Sequence, residues 1–337
     1  MNSLNHTQID TIVKNKDKFA ISPSIRDCIP VLTRKGKPWA ISGGQCRVYK
    51  VIDSNGCNKA LRLWTNALGD IEKRCQEISS FIFQHKKEYF LNFEYIEQAF
   101  EFNGEIYPAI LMDWCPAKSL KSYIQEHLYE KKILRKLQDN LMNMFDELHD
   151  LHISHGDLHH DNIRVGEHGE LYLIDYDSVY VPTLKGYRDE CEGYSGYQHP
   201  FARSTNKYLS EHIDYFSELI IILSIEALIE KPEIWNDYQV ENRDQAFLFM
   251  KNDFLSIEQN QLYLLLCNQT ERLNSLCKIL KYFLSRNTIR EMCSIKDAAS
   301  KLGLSLFGIL SMYCINCGQK FFAIEDLFCI NCGYKRI

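Results

Sequence analysis

The side chains best suited to chemistry are concentrated in one short segment, His155-Gly156-Asp157-Leu158-His159-His160-Asp161-Asn162. Asp175 follows this segment at the end of a predicted strand. In magnesium-dependent phosphoryl transfer, one carboxylate orients the attacking hydroxyl, while another carboxylate and an amide oxygen hold Mg²⁺ against the phosphates of a nucleotide. The residue types and their order therefore predict this chemistry.

The elements that must position these residues change in character along the chain. Residues 46 to 113 form short apolar and aromatic runs separated by turns, with Asn-Gly at positions 55–56 and 103–104, and a helix is predicted around Gly69 to Gln84. From about residue 118 the apolar spacing becomes helical, and it is clearest at Leu134, Leu137, Leu141, Phe145 and Leu148. A hairpin around residues 166–169 interrupts the helices, which are predicted to resume over residues 208–310. We therefore expect an α+β fold with a small β-rich lobe, a helical lobe and a cleft between them.

The order of these motifs resembles the protein-kinase superfamily. His-Gly-Asp stands at 155–157 where most members have His-Arg-Asp, and Asp-Tyr-Asp stands at 175–177 where most have Asp-Phe-Gly. Together with Tyr-Gln-His-Pro at 197–200, these motifs are similar to those of a bacterial group of kinase-like proteins. The resemblance covers about residues 38 to 300. It implies a kinase N-lobe over residues 36–114 and a C-lobe over 115–310, preceded by an extension over 1–35.

The resemblance also implies a role for each motif residue. Asp157 is expected to be the catalytic carboxylate, with Asn162 and Asp175 as Mg²⁺ ligands. Arg62 stands in place of the strand lysine that contacts the phosphates of ATP, and Asp214 resembles the buried Asp that braces the catalytic loop.

Further residues are expected at the nucleotide. Glu77 is the candidate for the helix carboxylate that pairs with Arg62, and Glu72 is the runner-up. The other candidates implied for ATP binding are Gly43, Gly44, Val48 and Asp113.

Several positions depart from the usual kinase pattern. The Gly-rich loop keeps only Gly43 and Gly44, and the wider planar fork of Arg62 is not equivalent to a lysine. Gly156 replaces the arginine that binds a phosphorylated activation segment, so we expect no simple phosphate clamp. Phe201 replaces a Glu, so its salt bridge, for which Arg290 would be the partner, is expected to be absent.

Three functions stay open at this point. A protein kinase is favoured because Cys115 and Asp157 are too close in sequence for the helical insertion of aminoglycoside and choline phosphotransferases. His159 nevertheless matches those small-molecule enzymes. Asp161, rather than an Arg, precedes Asn162, which favours Ser/Thr over Tyr as the acceptor. The third alternative is a pseudokinase that binds nucleotide as a scaffold.

The C-terminal tail contains four of the 13 cysteines in two matching Cys-Ile-Asn-Cys-Gly repeats. This spacing predicts a structural Zn²⁺ held by Cys314, Cys317, Cys329 and Cys332 in a zinc ribbon over residues 311–337. The ribbon would serve docking or regulation. A redox dithiol is the alternative for the tail, and the other nine cysteines are interpreted as ordinary thiols.

Composition and charge exclude several other classes. Disorder, collagen and coiled coil do not fit 45% hydrophobic and 25% charged residues. A net charge of -5 argues against a protein that coats nucleic acid or an anionic membrane, although nucleic-acid binding by the ribbon stays open. The start of the chain is polar, and the longest apolar run, residues 216–228, is too short for a membrane span and contains Glu218 and Glu226. We therefore expect a cytoplasmic protein.

Overall fold

The computed structural model describes residues 3–42, 46–65, 70–304, 319 and 328–333. The chain divides into two compact units. The first unit contains residues 1–119 and 162–187, and the second contains residues 120–161 and 188–337. The lobe boundaries predicted from the sequence stay a prediction, and the hairpin region 162–187 falls in the first unit rather than with the helices.

The first unit is built on an antiparallel sheet in the order β1-β3-β4-β6-β5, with β2 also paired to β3. The strands are β1 (Ile29–Pro30), β2 (Ala40–Ser42), β3 (Cys46–Ile52), β4 (Asn58–Trp64), β5 (Phe93–Phe102) and β6 (Glu105–Asp113). Asn103 and Gly104 have φ of 54° and 79°, as the tight turn between β5 and β6 requires. The hairpins predicted from the two Asn-Gly pairs are therefore confirmed.

Three short helices precede the sheet and belong to its core. They are α1 (His6–Lys14), α2 (Lys16–Phe19) and α3 (Pro23–Arg26). Asn5 and Gln8 form a capping box with two 2.9 Å hydrogen bonds, which fixes the start of α1. Ile9 and Ile12 are fully buried in the cluster that includes Tyr49 of β3. The N-terminal extension is thus an integral layer of the first unit.

Two further parts complete the first unit. Helix α4 (Asp70–His85) packs on β5 and buries the face that contains Cys75, Ile78 and Ile82. A small antiparallel sheet is formed by β7 (Lys118–Ser119), β8 (Ile163–Val165) and β9 (Leu171–Leu173). The last strand of this small sheet ends at Leu173, two residues before Asp175.

The described part of the second unit is helical. Its helices are α5 (Leu120–Glu126), α6 (Lys131–Asp150), α7 (Ala202–Thr205), α8 (Tyr215–Glu230), α9 (Ile234–Asp237), α10 (Lys251–Leu255), α11 (Gln261–Cys267), α12 (Glu271–Leu284) and α13 (Ile295–Lys301). The apolar face predicted for α6 is buried at all five positions. Helix α8 packs against α6, α12 and α13 and is buried from Phe216 to Ile229, so it forms the centre of this unit. Each helix in the described ranges is too short or too polar to cross a membrane.

Candidate active site

The loop that contains Asp157 belongs to the second unit and is held by Asp214, the residue that precedes α8. The Asp214 carboxylate accepts hydrogen bonds from the backbone N–H groups of His155 and Gly156, the latter at 3.0 Å. Gly156 has a φ of 81°, which a side chain would disfavour. Burial raises the pKa of Asp214 to about 7, and nearby Glu218 adds to this shift. Asp214 therefore fixes the backbone on the N-terminal side of Asp157.

Asp157 is held as a carboxylate by basic neighbours. Nε2 of His159 lies 3.5 Å from Oδ2 of Asp157. Burial raises the pKa of Asp157, but the hydrogen bond and charge of His159, with contributions from His155 and Arg203, outweigh it and lower the pKa overall. The group is thus ionised at neutral pH, as a residue that accepts a hydroxyl proton must be.

Two tyrosines orient the histidines of this loop. The ring of His159 stacks on Tyr194 with 4.0 Å between centroids and 23° between planes. Nδ1 of His160 lies 2.5 Å from the hydroxyl of Tyr197, which is fully buried. Tyr197 belongs to the Tyr-Gln-His-Pro motif, so this motif supports the loop through its contact with His160.

Arg203 of α7 is a further support that the sequence did not indicate. One of its terminal nitrogens, Nη2, lies 2.9 Å from the carbonyl oxygen of Gly156 and 3.0 Å from Oδ2 of Asp189. Both members of this ion pair are buried. Phe201, which stands where kinases usually have a Glu, is 61% exposed. The buried polar contacts near this position are made by Arg203 instead.

The two predicted metal ligands, Asn162 and Asp175, lie in the first unit. Their segments are joined by a 3.0 Å hydrogen bond from the backbone N–H of Ile174 to the carbonyl oxygen of Asn162. Asp175 has a φ of 63° and a ψ of 73°, a left-handed conformation that is strained for a residue other than Gly. Amide and carboxylate oxygens are the donor type that Mg²⁺ prefers, so the residues present fit this ion.

Tyr176 anchors the segment after Asp175. Its hydroxyl accepts a 2.9 Å hydrogen bond from the backbone N–H of Leu91 and donates a 2.8 Å bond to the carbonyl oxygen of Leu173. The side chain is buried against Phe90 and Phe93. Because the hydroxyl of Tyr176 both accepts and donates a hydrogen bond, its position is fixed, and the two flanking aspartates are held in place with it.

The partner of Arg62 differs from the one expected. Arg62 lies in the middle of β4, opposite Val48 of β3 and Ile110 of β6. Its two terminal nitrogens donate to the two carboxylate oxygens of Asp177. Burial opposes the charge of Arg62, but the attraction and hydrogen bonds of Asp177 outweigh it and raise its pKa, so the guanidinium stays charged.

The expected pairing of Arg62 with Glu77 was wrong for this structure. Both candidate residues lie on α4, but Glu77 forms an ion pair with Lys73, one turn earlier on the same helix. The hydrogen bonds from Lys73 and Thr183 lower the pKa of Glu77. Glu72, the runner-up, lies near Tyr95 instead, where burial and the charge of Glu72 raise the pKa of the tyrosine hydroxyl. Asp177 is the partner of Arg62 in place of both glutamates. It directly follows Tyr176, and the hydrogen bonds of Tyr176 hold this segment next to β4.

The other nucleotide-binding candidates are only partly described. Val48 lies on β3 and is half-buried, whereas Gly43 and Gly44 lie outside the described residues. Asp113 ends β6, and its carboxylate pairs with Lys59 and accepts a 2.7 Å hydrogen bond from the side chain of Asn92. A role for these residues at the nucleotide stays a prediction.

Two of the four predicted zinc ligands lie within the described residues. Cys314 and Cys317 lie outside the described residues, while Cys329 is buried and Cys332 is exposed. Within the ranges that the structure describes, no group of three or more His, Cys, Asp or Glu side chains could hold a metal ion. The zinc ribbon therefore stays a prediction.

The comparison with known families agrees with the motifs. The protein kinase domain family matches residues 42–296, and the chain belongs to this family. The predicted membership of the protein-kinase superfamily is thus confirmed, and members of this family are in general phosphotransferases that use ATP and Mg²⁺. No curated protein matches the chain.

Proposed function

We propose that the protein is an ATP- and Mg²⁺-dependent protein kinase that phosphorylates Ser or Thr, and that its C-terminal tail is a zinc ribbon for docking or regulation. The observation that carries the proposal is the ionised carboxylate of Asp157 on a loop braced by Asp214 and Arg203. This is the arrangement that a proton-accepting residue needs, because its position and its charge are both fixed.

Each residue has a defined part in the proposed reaction. When bound, ATP with Mg²⁺ supplies the transferable γ-phosphoryl group. Asn162 and Asp175 would hold the ion, and the charge of Arg62 would offset the charge of the phosphates. Asp157 would orient the substrate hydroxyl and accept its proton at a carboxylate oxygen.

Two other functions have specific support. His159 next to Asp157 favours a small-molecule phosphotransferase, which would phosphorylate an amino alcohol or a sugar hydroxyl. The pairing of Arg62 with Asp177, together with the reduced number of glycines in the Gly-rich loop, favours a pseudokinase that binds nucleotide without transfer.

The proposal is tested by incubating the purified protein with radiolabelled ATP, Mg²⁺ and a mixture of protein substrates. Asp157→Asn and Asp175→Asn are expected to lower transfer roughly 100-fold or more, because one removes the proton acceptor and the other a metal ligand. Asp237→Asn, at an exposed site of α9, is the control and is expected to keep full activity.

The products distinguish the alternatives. Label on phosphoserine or phosphothreonine in protein supports the proposal, whereas label on phosphotyrosine contradicts the Ser/Thr preference. Label only on added choline or an aminoglycoside supports the small-molecule enzyme. Nucleotide binding without any transfer supports the pseudokinase.

A further inference from the structure

Asp177 holds Arg62 in a geometry that only an arginine can adopt. The pair is bidentate, with one bond from each terminal nitrogen to each carboxylate oxygen. Such a fork-to-fork contact fixes the plane of the guanidinium as well as its position. A lysine ammonium at position 62 could be attracted to Asp177 but could not be oriented by it.

The contact leaves donors of Arg62 for a second anion. A guanidinium carries five N–H donors, and a bidentate carboxylate at its end uses two of them. The side of the guanidinium that includes Nε is not used by Asp177. Nε is buried and has no hydrogen-bond partner among the described residues, so a phosphate oxygen that reaches this edge would satisfy a donor that the protein leaves unpaired.

The surroundings keep the pair in place. Arg62 is 16% exposed in its side chain, and the guanidinium carbon lies 5.6 Å from the centre of the Trp64 ring. Asp177 follows the doubly hydrogen-bonded Tyr176 within the turn Tyr176–Ser178. Asp177 itself is 46% exposed, so the pair contributes little to stability and its value lies in orientation.

We propose that Asp177 is the positioning residue for Arg62 and takes the part expected of a helix carboxylate, so that Arg62 presents its second edge to the phosphates of the nucleotide. Compared with the usual kinase pattern, position 62 has Arg in place of Lys and position 177 has Asp in place of Gly. In this proposal the two differences belong together, because each residue needs the other. This inference rests on the proposed binding of ATP, but it does not require phosphoryl transfer.

The first test measures the affinity for a non-hydrolysable ATP analogue with Mg²⁺ by calorimetry. Asp177→Asn is expected to weaken binding roughly tenfold, since it removes charged hydrogen bonds that orient Arg62. Asp177→Glu should recover part of the loss. Glu77→Gln is the matched control, and it should leave both the affinity and the melting temperature unchanged.

A double substitution tests whether the two residues act as a unit. Arg62→Lys alone should weaken binding, and Arg62→Lys with Asp177→Asn should be no weaker than Arg62→Lys alone, because the interaction is already lost. Additive losses would overturn the proposal.

A spectroscopic test uses the nucleotide-free protein. Because Arg62 lies over Trp64, its release in Asp177→Asn should change the tryptophan emission spectrum, whereas Glu77→Gln should not. The melting temperature of each variant shows whether it is folded, and Asp177→Glu provides a second folded variant if Asp177→Asn is not.

The outcomes separate this inference from the kinase assignment. If the wild-type protein transfers no phosphoryl group but Asp177→Asn still weakens nucleotide binding, the kinase function fails and the role of Asp177 stands. If Asp177→Asn binds the analogue as tightly as the wild type, or Glu77→Gln loses as much affinity, the role of Asp177 is refuted whatever the activity. A wild-type protein that binds no analogue would refute both.

Discussion

The carboxylate of Asp214 accepts a 3.0 Å hydrogen bond from the backbone N–H of Gly156. The same carboxylate accepts a bond from His155, so one buried side chain holds two consecutive peptide groups. Gly156 in turn accepts a hydrogen bond from Arg203. The residue before Asp157 is thereby fixed through both its N–H and its carbonyl oxygen.

Asp214→Asn should destabilise the protein because an amide has one oxygen for two backbone donors. The expected loss in the free energy of unfolding is about 1–3 kcal/mol, the cost of a buried unsatisfied group. Urea denaturation measures it. The control is Glu211→Gln in the same turn, whose pair with the exposed His152 should contribute less than about 1 kcal/mol. Equal effects of the two substitutions would show that Asp214 does not brace the loop.

Arg203→Met should be more costly, because it removes the guanidinium that pairs with the buried carboxylate of Asp189. Breaking a buried ion pair typically costs about 3–5 kcal/mol. Thermal and urea unfolding should both show the loss, and Arg34→Met at an exposed site should show almost none. If Asp189→Leu is added to Arg203→Met, part of the stability should return. A double variant weaker than the single one would contradict this account.

His149 should make stability depend on pH. Burial lowers the pKa of His149, but the charge and hydrogen bonds of Glu218, at 2.9 and 3.0 Å, outweigh it and raise the pKa above the ordinary 6.5. The stabilisation from the charged pair is therefore complete below pH 6.5 and is lost as the pH rises through the raised value.

The test of this prediction is the urea midpoint measured from pH 5.5 to 9. The midpoint of the wild type should fall over the upper part of this range more than that of His149→Gln, which keeps a hydrogen-bond donor but cannot titrate. Parallel curves for the two proteins would contradict the prediction.

The N-terminal helices should be required for the stability of the first unit. Ile12→Ala removes a fully buried side chain and should cost about 2–5 kcal/mol. Ile29→Ala is the same chemical change at a site that is 63% exposed, and it should cost much less. Differential scanning calorimetry compares the two variants. Similar melting temperatures would mean that the N-terminal layer is dispensable.

The tail should bind about one zinc ion per chain if the four cysteines form a ribbon. Metal analysis of the purified protein measures this ratio. Cys329→Ser should reduce it towards zero, because a closed tetrahedral site needs all four ligands. Cys57→Ser, at an exposed thiol of the β3–β4 turn, should leave it unchanged. The absence of zinc from the wild-type protein would contradict the predicted ribbon.

Local signals in the sequence predicted much of this fold. The Asn-Gly pairs predicted hairpins because Asn and Gly accept a positive φ more readily than other residues. Asn103 and Gly104 both adopt one, whereas at positions 55–56 only Gly56 does. The helical spacing of Leu134 to Leu148 predicted the buried face of α6. The order of the motifs predicted the kinase family. Each of these signals is contained within one element or in the order of short segments.

Contacts between distant segments were not predictable in the same way. Arg62 and Asp177 lie on separate elements, and only the anchoring of Tyr176 brings them together. Arg203 carries no motif of its own. The N-terminal helices did have a local signal, since Asn5 and Gln8 fit a capping box before the apolar spacing of Ile9, Ile12 and Val13.

The apolar character of α8 on every side has a consequence for its rotation. Uniformly apolar packing cannot by itself select one orientation of a helix about its axis. Glu218 and Glu226 provide that selection, because the first meets His149 and the second meets Arg135 and Arg272. A rotation of α8 would move two buried charges away from their partners, so these glutamates determine which way the central helix faces.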